Sequence, residues 1–392
     1  MTAVPSRIGS SRPLAVFMVL YALLYAAFGV ASPFLPALIA SRGIPPEQIG
    51  VLFAAGTAIR LASAPLAGLL ADRTQALRLI LSLCTVAAAA AAIGFLPDWG
   101  FWAIAVVSLL HAFTLAPTTN LADALALVAS RQAHGFEYGW VRGAGSAAFI
   151  LGSVVAGFAI SSFGLPIVII LQAALMLAVP LAAWRVPPIG VTHRTVLSHA
   201  GASKLLREPV FRKVVLVAAL VLGSHAMHDT FAVVRWTGAG ISPHVAGALW
   251  SLSVAAEVVV FFLAGPWLLR LLGPAGAIAL AAVAGAGRWL VAAVTADLGV
   301  LILTQPLHGL TFALLHLACM RLLADAVPAH LAATAQALYG TVGVGAATAV
   351  LTLISGWLYA ALGPAAFGVM SVLCLLALPV AAGLRPRQEP VR

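Results

Sequence analysis

The sequence predicts an all-α membrane protein of twelve spanning helices in two groups of six. Three observations carry this reading. First, 62% of the 392 residues are hydrophobic and mean hydropathy is +1.08, whereas about half the residues of a soluble domain are apolar. Second, only 8% of residues are charged, too few to coat a soluble surface of this length. Third, the apolar runs match the ~20 residues one spanning helix needs. The segments of about 10 alternating residues that mark a membrane barrel are not what these runs look like.

The elements follow in order. Arg7 and Arg12 precede the first apolar run, as in a signal peptide, but the run continues to about residue 40 through Pro33 and Pro36 and is too long for one. It is the first span, roughly 13–40. The prolines at 45 and 46 end it in a turn. Helix 2 covers roughly 47–71, and Asp72–Arg78 is a charged loop. Helices 3 to 6 cover roughly 78–96, 100–130, 138–163 and 165–185, with a polar loop at 131–137. Residues 186–211 hold Pro187, Pro188, His193, Arg194, His199, Lys204, Arg207 and Glu208, the longest polar stretch in the chain, near its midpoint. Helices 7 to 12 cover roughly 212–235, 244–270, 275–295, 299–326, 331–361 and 363–384. The expected organisation is therefore an N-terminal bundle (1–186), a linker (187–211) and a C-terminal bundle (212–392) with a short basic tail.

Charge orients the chain. The N-terminus, the loops at 72–78 and 131–137, the linker, Arg270 and the tail with Arg385, Arg387 and Arg392 fall on one side. The other side carries Arg42, Glu47, Asp98, Arg235 and Asp297. The excess of basic residues places both termini in the cytoplasm. The net charge of +10 is thus an orientation signal in loops and tails, not a nucleic-acid face. Cys84, Cys319 and Cys374 lie in apolar runs without metal-type spacing and read as packing residues.

Charges inside apolar runs carry the functional information. One charge near the bilayer centre costs roughly 2.5–3.5 kcal/mol on insertion scales. Arg142, Glu257, Arg288 and His308 all stand in such runs. Arg142 follows Tyr138 by four residues and shares its face; it either binds substrate or snorkels to headgroups. Glu257 lies mid-helix, where it loads and releases a proton or forms a fixed ion pair. Asp123 shares a face with Asn120 and Thr119, a polar stripe suited to a cavity wall. His225 and Asp229 are four apart, with His228 adjacent, and read as a relay or as a solvated pair toward a helix end. Thr304, His308 and Thr311 form a second stripe, with His316 further along. Arg60 lines a cavity or pairs with Asp123. Gly340, Gly343 and Gly345 read as tight helix packing. No P-loop or His-Glu-x-x-His pattern is present, so neither ATP-driven pumping nor an enzymatic activity is expected, and no cofactor or metal.

These residues carry a family likeness. Gly68-Leu-Leu-Ala-Asp72-Arg73 resembles the signature loop of the major facilitator superfamily, in which an acid and a base tie helix ends together. The resemblance implies that Asp72 and Arg73 form a conformational latch; the matching segment Gly265–Arg270 lacks the acid. The stretch from Gly135 to Ser146 resembles the loop 4–5 and helix 5 region of the group that contains lactose and phenylpropionate permeases, where the arginine matching Arg142 binds substrate. Glu257, Arg288 and His308 fall in the segments that hold a substrate-linked glutamate, an arginine and a histidine there, and the 20-residue spacing from Arg288 to His308 fits. The Gln305–His316 stretch looks closer to the phenylpropionate branch. Two departures stand out. Thr311 occupies the place of lactose permease's proton-carrying glutamate, and Asp123 is one position from the helix 4 acid.

The resemblance implies a monomeric major facilitator of the inner membrane, rocking around a cavity lined by helices 1, 4 and 5 of one half and 7, 8, 10 and 11 of the other. The expected substrate set is Arg142, Tyr138, Asn120, Asp123, Arg288, His308 and Thr311. The expected proton set is Glu257, Asp123, His308 and Asp229. The expected reaction is proton-coupled import of a small organic solute, an aromatic or other organic acid first. A sugar or nucleoside symporter, an efflux antiporter and a non-transporting sensor are the alternatives.

Overall fold

The computed structural model describes residues 11–130, 136–186, 199–328 and 331–384. Arg7, Arg131, His193, Arg194 and the tail arginines lie outside the described residues. Among the described residues the chain is helical, without strands.

The expected first span is α1 (Ser11–Ala31) followed by α2 (Leu35–Ala40). The break falls at Pro33, which has no N–H to continue the ladder. α3 (Pro46–Thr74) starts on a proline, whose fixed φ suits the first helical position. It runs beyond the expected boundary, because Gln75 takes a left-handed φ of 51° and the Ala76 N–H closes back on the Ala71 carbonyl at 3.3 Å. Such a left-handed cap ends a helix within one residue, so the charged loop expected at 72–78 shrinks to a tight turn. α4 (Leu77–Ile93), α5 (Phe101–Ser130), α6 (Tyr138–Phe163) and α7 (Ile167–Ala183) follow as expected. Gly164, at φ 79°, stops α6.

The stretch expected as an open linker carries a helix, α8 (His199–Arg207). The expected helix 7 is split into α9 (Pro209–Val221) and α10 (His225–Gly238). Arg235, read from sequence as a loop charge, lies in the last turn of α10 and is only 8% exposed. α11 (Pro243–Val259) passes through a π-helical turn, Val260–Ala264, into α12 (Gly265–Val294). Gly273, at φ 65° and ψ 170°, breaks α12 where two helices are expected. The Asp297 carboxylate accepts the Val300 N–H at 3.0 Å and caps α13 (Leu298–Thr304). After α14 (Leu307–Gly309) a second π turn, Leu310–Leu314, leads into α15 (Leu315–Ala326). α16 (Ala332–Leu338), a third π segment (Tyr339–Ala346), α17 (Ala347–Leu362) and α18 (Phe367–Ala382) complete the chain, with Gly363 at φ 55° turning α17 into α18.

Among the described residues, eight continuous stretches are long and apolar enough to cross a membrane, and α4 and α7 are shorter apolar helices. Two of the eight, Pro243–Val294 and Thr334–Ala382, contain the breaks at Gly273 and Gly363. Trp102, Phe163, Leu263 and Leu303 are all more than 70% exposed, an outward apolar surface that only lipid satisfies.

The chain forms two compact units. The first comprises Met1–Ser32 and Ile59–Arg194, the second Pro33–Ala58 and Thr195–Arg392. Residues 33–58, expected with the N-terminal bundle, thus belong to the second unit, where a Cβ on Gly50 would lie 2.8 Å from the Gly356 Cα. The first unit packs α1 on α6 at near backbone contact: a Cβ on Gly152 would meet the Ala26 carbonyl at 2.6 Å. That approach sets Tyr21 and Tyr25 of α1 beside the start of α6.

Candidate functional site

Each unit holds its own polar cluster. In the first unit, Asp123 of α5 accepts hydrogen bonds from the Tyr21 hydroxyl and, at 2.8 Å, from the Tyr138 hydroxyl. Arg142 donates to the Tyr25 hydroxyl, and its guanidinium lies 4.9 Å from the Tyr25 ring centre. The Tyr21 and Tyr25 rings stack at 5.7 Å, and Tyr138 meets Tyr21 edge-on at 6.5 Å. Arg142 lies in electrostatic range of Asp123 but makes no carboxylate ion pair among the described residues. Its remaining N–H groups suit a planar, two-oxygen acceptor. Asn120 is exposed and Thr119 half-buried one turn along α5. Arg60 is exposed, and its place as a partner of Asp123 is taken by the two tyrosines.

The second unit is organised by Arg288 of α12, which is 2% exposed. Its Nη1 reaches His308 Nδ1 at 3.1 Å, and its Nη2 reaches His228 Nε2 at 3.3 Å and Gln305 Oε1 at 3.0 Å. Gln305 Oε1 also accepts from the Ser253 hydroxyl at 2.7 Å. The guanidinium lies 4.5 Å from the Trp289 ring centre, and the Trp289 N–H is held by Ser224 at 2.8 Å.

A guanidinium only donates. Both histidine nitrogens facing Arg288 must therefore be acceptors, and each ring carries its proton on the far nitrogen. For His308 that nitrogen is Nε2, 3.6 Å from Glu257 Oε2; for His228 it is Nδ1, 3.3 Å from Asp229 Oδ1. Each histidine thus directs a single N–H at a carboxylate. The histidine side chains are 12% and 4% exposed, the Glu257 and Asp229 side chains 25% and 54%. Two chains radiate from one buried cation to two accessible acids. The arrangement holds neutral imidazoles in fixed tautomers, each with its N–H toward a carboxylate.

Several sequence expectations land elsewhere. The Asp229 partner is His228 rather than His225, and the His225 ring packs on His308 at 4.9 Å. His225 and His228 are buried, not solvated. Thr311 is fully buried with its hydroxyl on the His308 carbonyl at 3.2 Å. His316 faces the Tyr339 hydroxyl at 3.5 Å, apart from the Arg288 hydrogen bonds. Gly340 has open space around its Cβ position, so tight packing does not explain it. Asp72 and Arg73 close α3 but make no ion pair among the described residues. The tie at this end of the first unit is Arg78, which donates to the Val186 carbonyl at 2.8 Å and lies 5.3 Å from the Trp184 ring centre.

Sequence reasoning missed Tyr21, Tyr25, Gln305 and Ser253. A signal existed for the tyrosines: the chain has only five, and three of them converge on Asp123 and Arg142.

Comparison with known proteins agrees with this architecture. The chain is 34% identical over 383 residues to a probable 3-phenylpropionic acid transporter of Escherichia coli (strain K12), covering 94% of this chain and 96% of the relative. It is 24% identical to a maltose permease of Geobacillus stearothermophilus, covering 89% of each. The solved structure of the nucleoside transporter NupG is similar in fold, with a TM-score of 0.81 at 18% identity over 95% of this chain and 98% of that one. The relatives are transporters rather than enzymes. The MFS_1 like family matches residues 14–368, and the chain belongs to it: a multi-pass membrane protein and a secondary transporter of the major facilitator superfamily.

Proposed function

We propose that this transporter is a proton-coupled symporter importing a small organic acid, an aromatic monocarboxylate first, by alternating access. The observation that carries the proposal is the Arg288–His308–Glu257 chain, in which a buried cation fixes an imidazole that faces an accessible carboxylate. Glu257 is the first proton carrier in this reading. Asp229, at the end of the sister chain, and Asp123 come next. His308 is a positioning residue, because the nitrogen that would take a second proton is the one accepting from Arg288.

Arg142 is the substrate anchor, with Tyr138, Asp123 and Asn120 beside it. A half-buried guanidinium tied to a tyrosine rather than an acid keeps donors for a carboxylate. The likeness to a probable 3-phenylpropionic acid transporter supports an aromatic acid. Arg288, His308 and Thr311 complete the substrate set as positioning groups. Asp72 and Arg73 are proposed as the latch, engaging in a state other than this one. Twelve spans, both termini in the cytoplasm, residence in the inner membrane and action as a monomer belong to the same reading.

A second reading, import of a sugar, rests on Asp123, whose carboxylate already accepts two hydroxyls and suits a neutral polyol, and on the likeness to a maltose permease. Competition separates the two. In vesicles energised with an alkaline interior, uptake of labelled 3-phenylpropionate is expected to be blocked by other aromatic monocarboxylates and unaffected by excess maltose or uridine. Blockage by maltose and not by carboxylates would favour the sugar.

A further inference from the structure

The second unit also holds a small cavity that shares Arg288 and His228 with the hub described above. Behind Arg288, toward the turns at 239–242 and 295–297, this cavity is lined by Arg235, Arg288, His228, Thr304, Gln305 and the rings of Trp236, Trp289 and Phe367. Its free interior is about the size of one water molecule. Two cations line this cavity, and neither makes an ion pair with a carboxylate among the described residues. Arg235 Nε and Nη1 and Arg288 Nε are buried without a hydrogen-bond partner. The acid in electrostatic range of Arg288 is Asp229, which is bonded to His228 and half exposed.

Two guanidinium groups cannot shed their charge by deprotonation, and burying unpaired charge is expensive. Three unpartnered donors on two arginines that line one small space call for an anion. Size selects it: the cavity admits one compact ion, not an aromatic acid and not an oxyanion with several oxygens. The rings of Trp236, Trp289 and Phe367 lower the local polarity, which strengthens an ion's attraction to the arginines.

We propose that this cavity binds a single chloride ion, held between Arg235 and Arg288 and walled by Trp236, Trp289 and Phe367. The ion neutralises part of the buried positive charge and steadies the Arg288 hub beside His228.

The test is thermal unfolding of the purified full-length protein in detergent, with chloride titrated against gluconate at constant ionic strength. A saturable rise in melting temperature is expected, reproduced by bromide. In Arg235→Gln the half-saturating chloride concentration is expected to rise at least tenfold. Equal melting of the wild type in chloride and gluconate overturns the proposal, whether or not the variant folds. So does an undiminished chloride effect in Arg235→Gln. Competitive removal of the effect by an aromatic monocarboxylate would assign the cavity to a carboxylate head and overturn the halide.

Discussion

At the scale of single residues, Arg288 determines what its neighbours can do. By donating to both His228 and His308 it forces each ring to protonate on the nitrogen that faces an acid. Nitrogen-15 spectra of histidine-labelled protein, assigned with His228→Asn and His308→Asn, are expected to show the Nδ1–H form for His228 and the Nε2–H form for His308. The opposite tautomer at His308, or an imidazolium there at neutral pH, would break the chain to Glu257. Arg142 supplies a second residue-scale prediction. Lysine keeps the charge but loses the fork, so Arg142→Lys is expected to raise the KM for an aromatic acid at least tenfold, measured by initial uptake rate. An unchanged KM would remove Arg142 from the binding site. Sequence gave away the buried charges because they are costly against an apolar background. It hid Gln305 and Ser253 and the partners of Tyr21 and Tyr25, since these depend on contacts between helices far apart in sequence, whereas spacing reports only residues on one helix.

At the scale of elements, glycines and π turns place the site. The π turns at Val260–Ala264 and Leu310–Leu314 begin just after Glu257 and His308. π insertions are rare and gather at functional positions. Between them Gly309 lies so close to α11 that a Cβ would meet the Ala256 carbonyl at 2.6 Å. Gly309→Ala is therefore expected to push α14 from α11, separate His308 from Glu257, lower stability by about 1–3 kcal/mol and abolish proton-driven accumulation. Gly340→Ala has open space at its Cβ and is expected to leave melting and transport within error. Similar melting temperatures for the two variants would contradict the close α11–α14 approach at Gly309. The sequence marked these glycines as small residues in apolar helices but could not separate the crowded from the open ones. It likewise placed Arg235 in a loop, since a charge near an expected helix end reads as solvated. Only the packed fold reveals the cavity it lines.

At the scale of the whole molecule, the membrane fold was legible from composition. The breaks at Gly273 and Gly363 fall where sequence separated helices. Residues 33–58 were not legible as part of the second unit, because nothing in an apolar run states which bundle it packs with. In the proposed mechanism, proton movement through Glu257 drives solute accumulation. It is tested most directly in proteoliposomes with an imposed inward proton gradient, comparing wild type with Glu257→Gln for labelled 3-phenylpropionate. Wild type is expected to accumulate solute above the external concentration and to lose it with a protonophore. Glu257→Gln is expected to retain exchange of internal for external solute but to accumulate nothing. A Glu257→Gln variant that still concentrates solute, with unchanged dependence on pH, would contradict this mechanism.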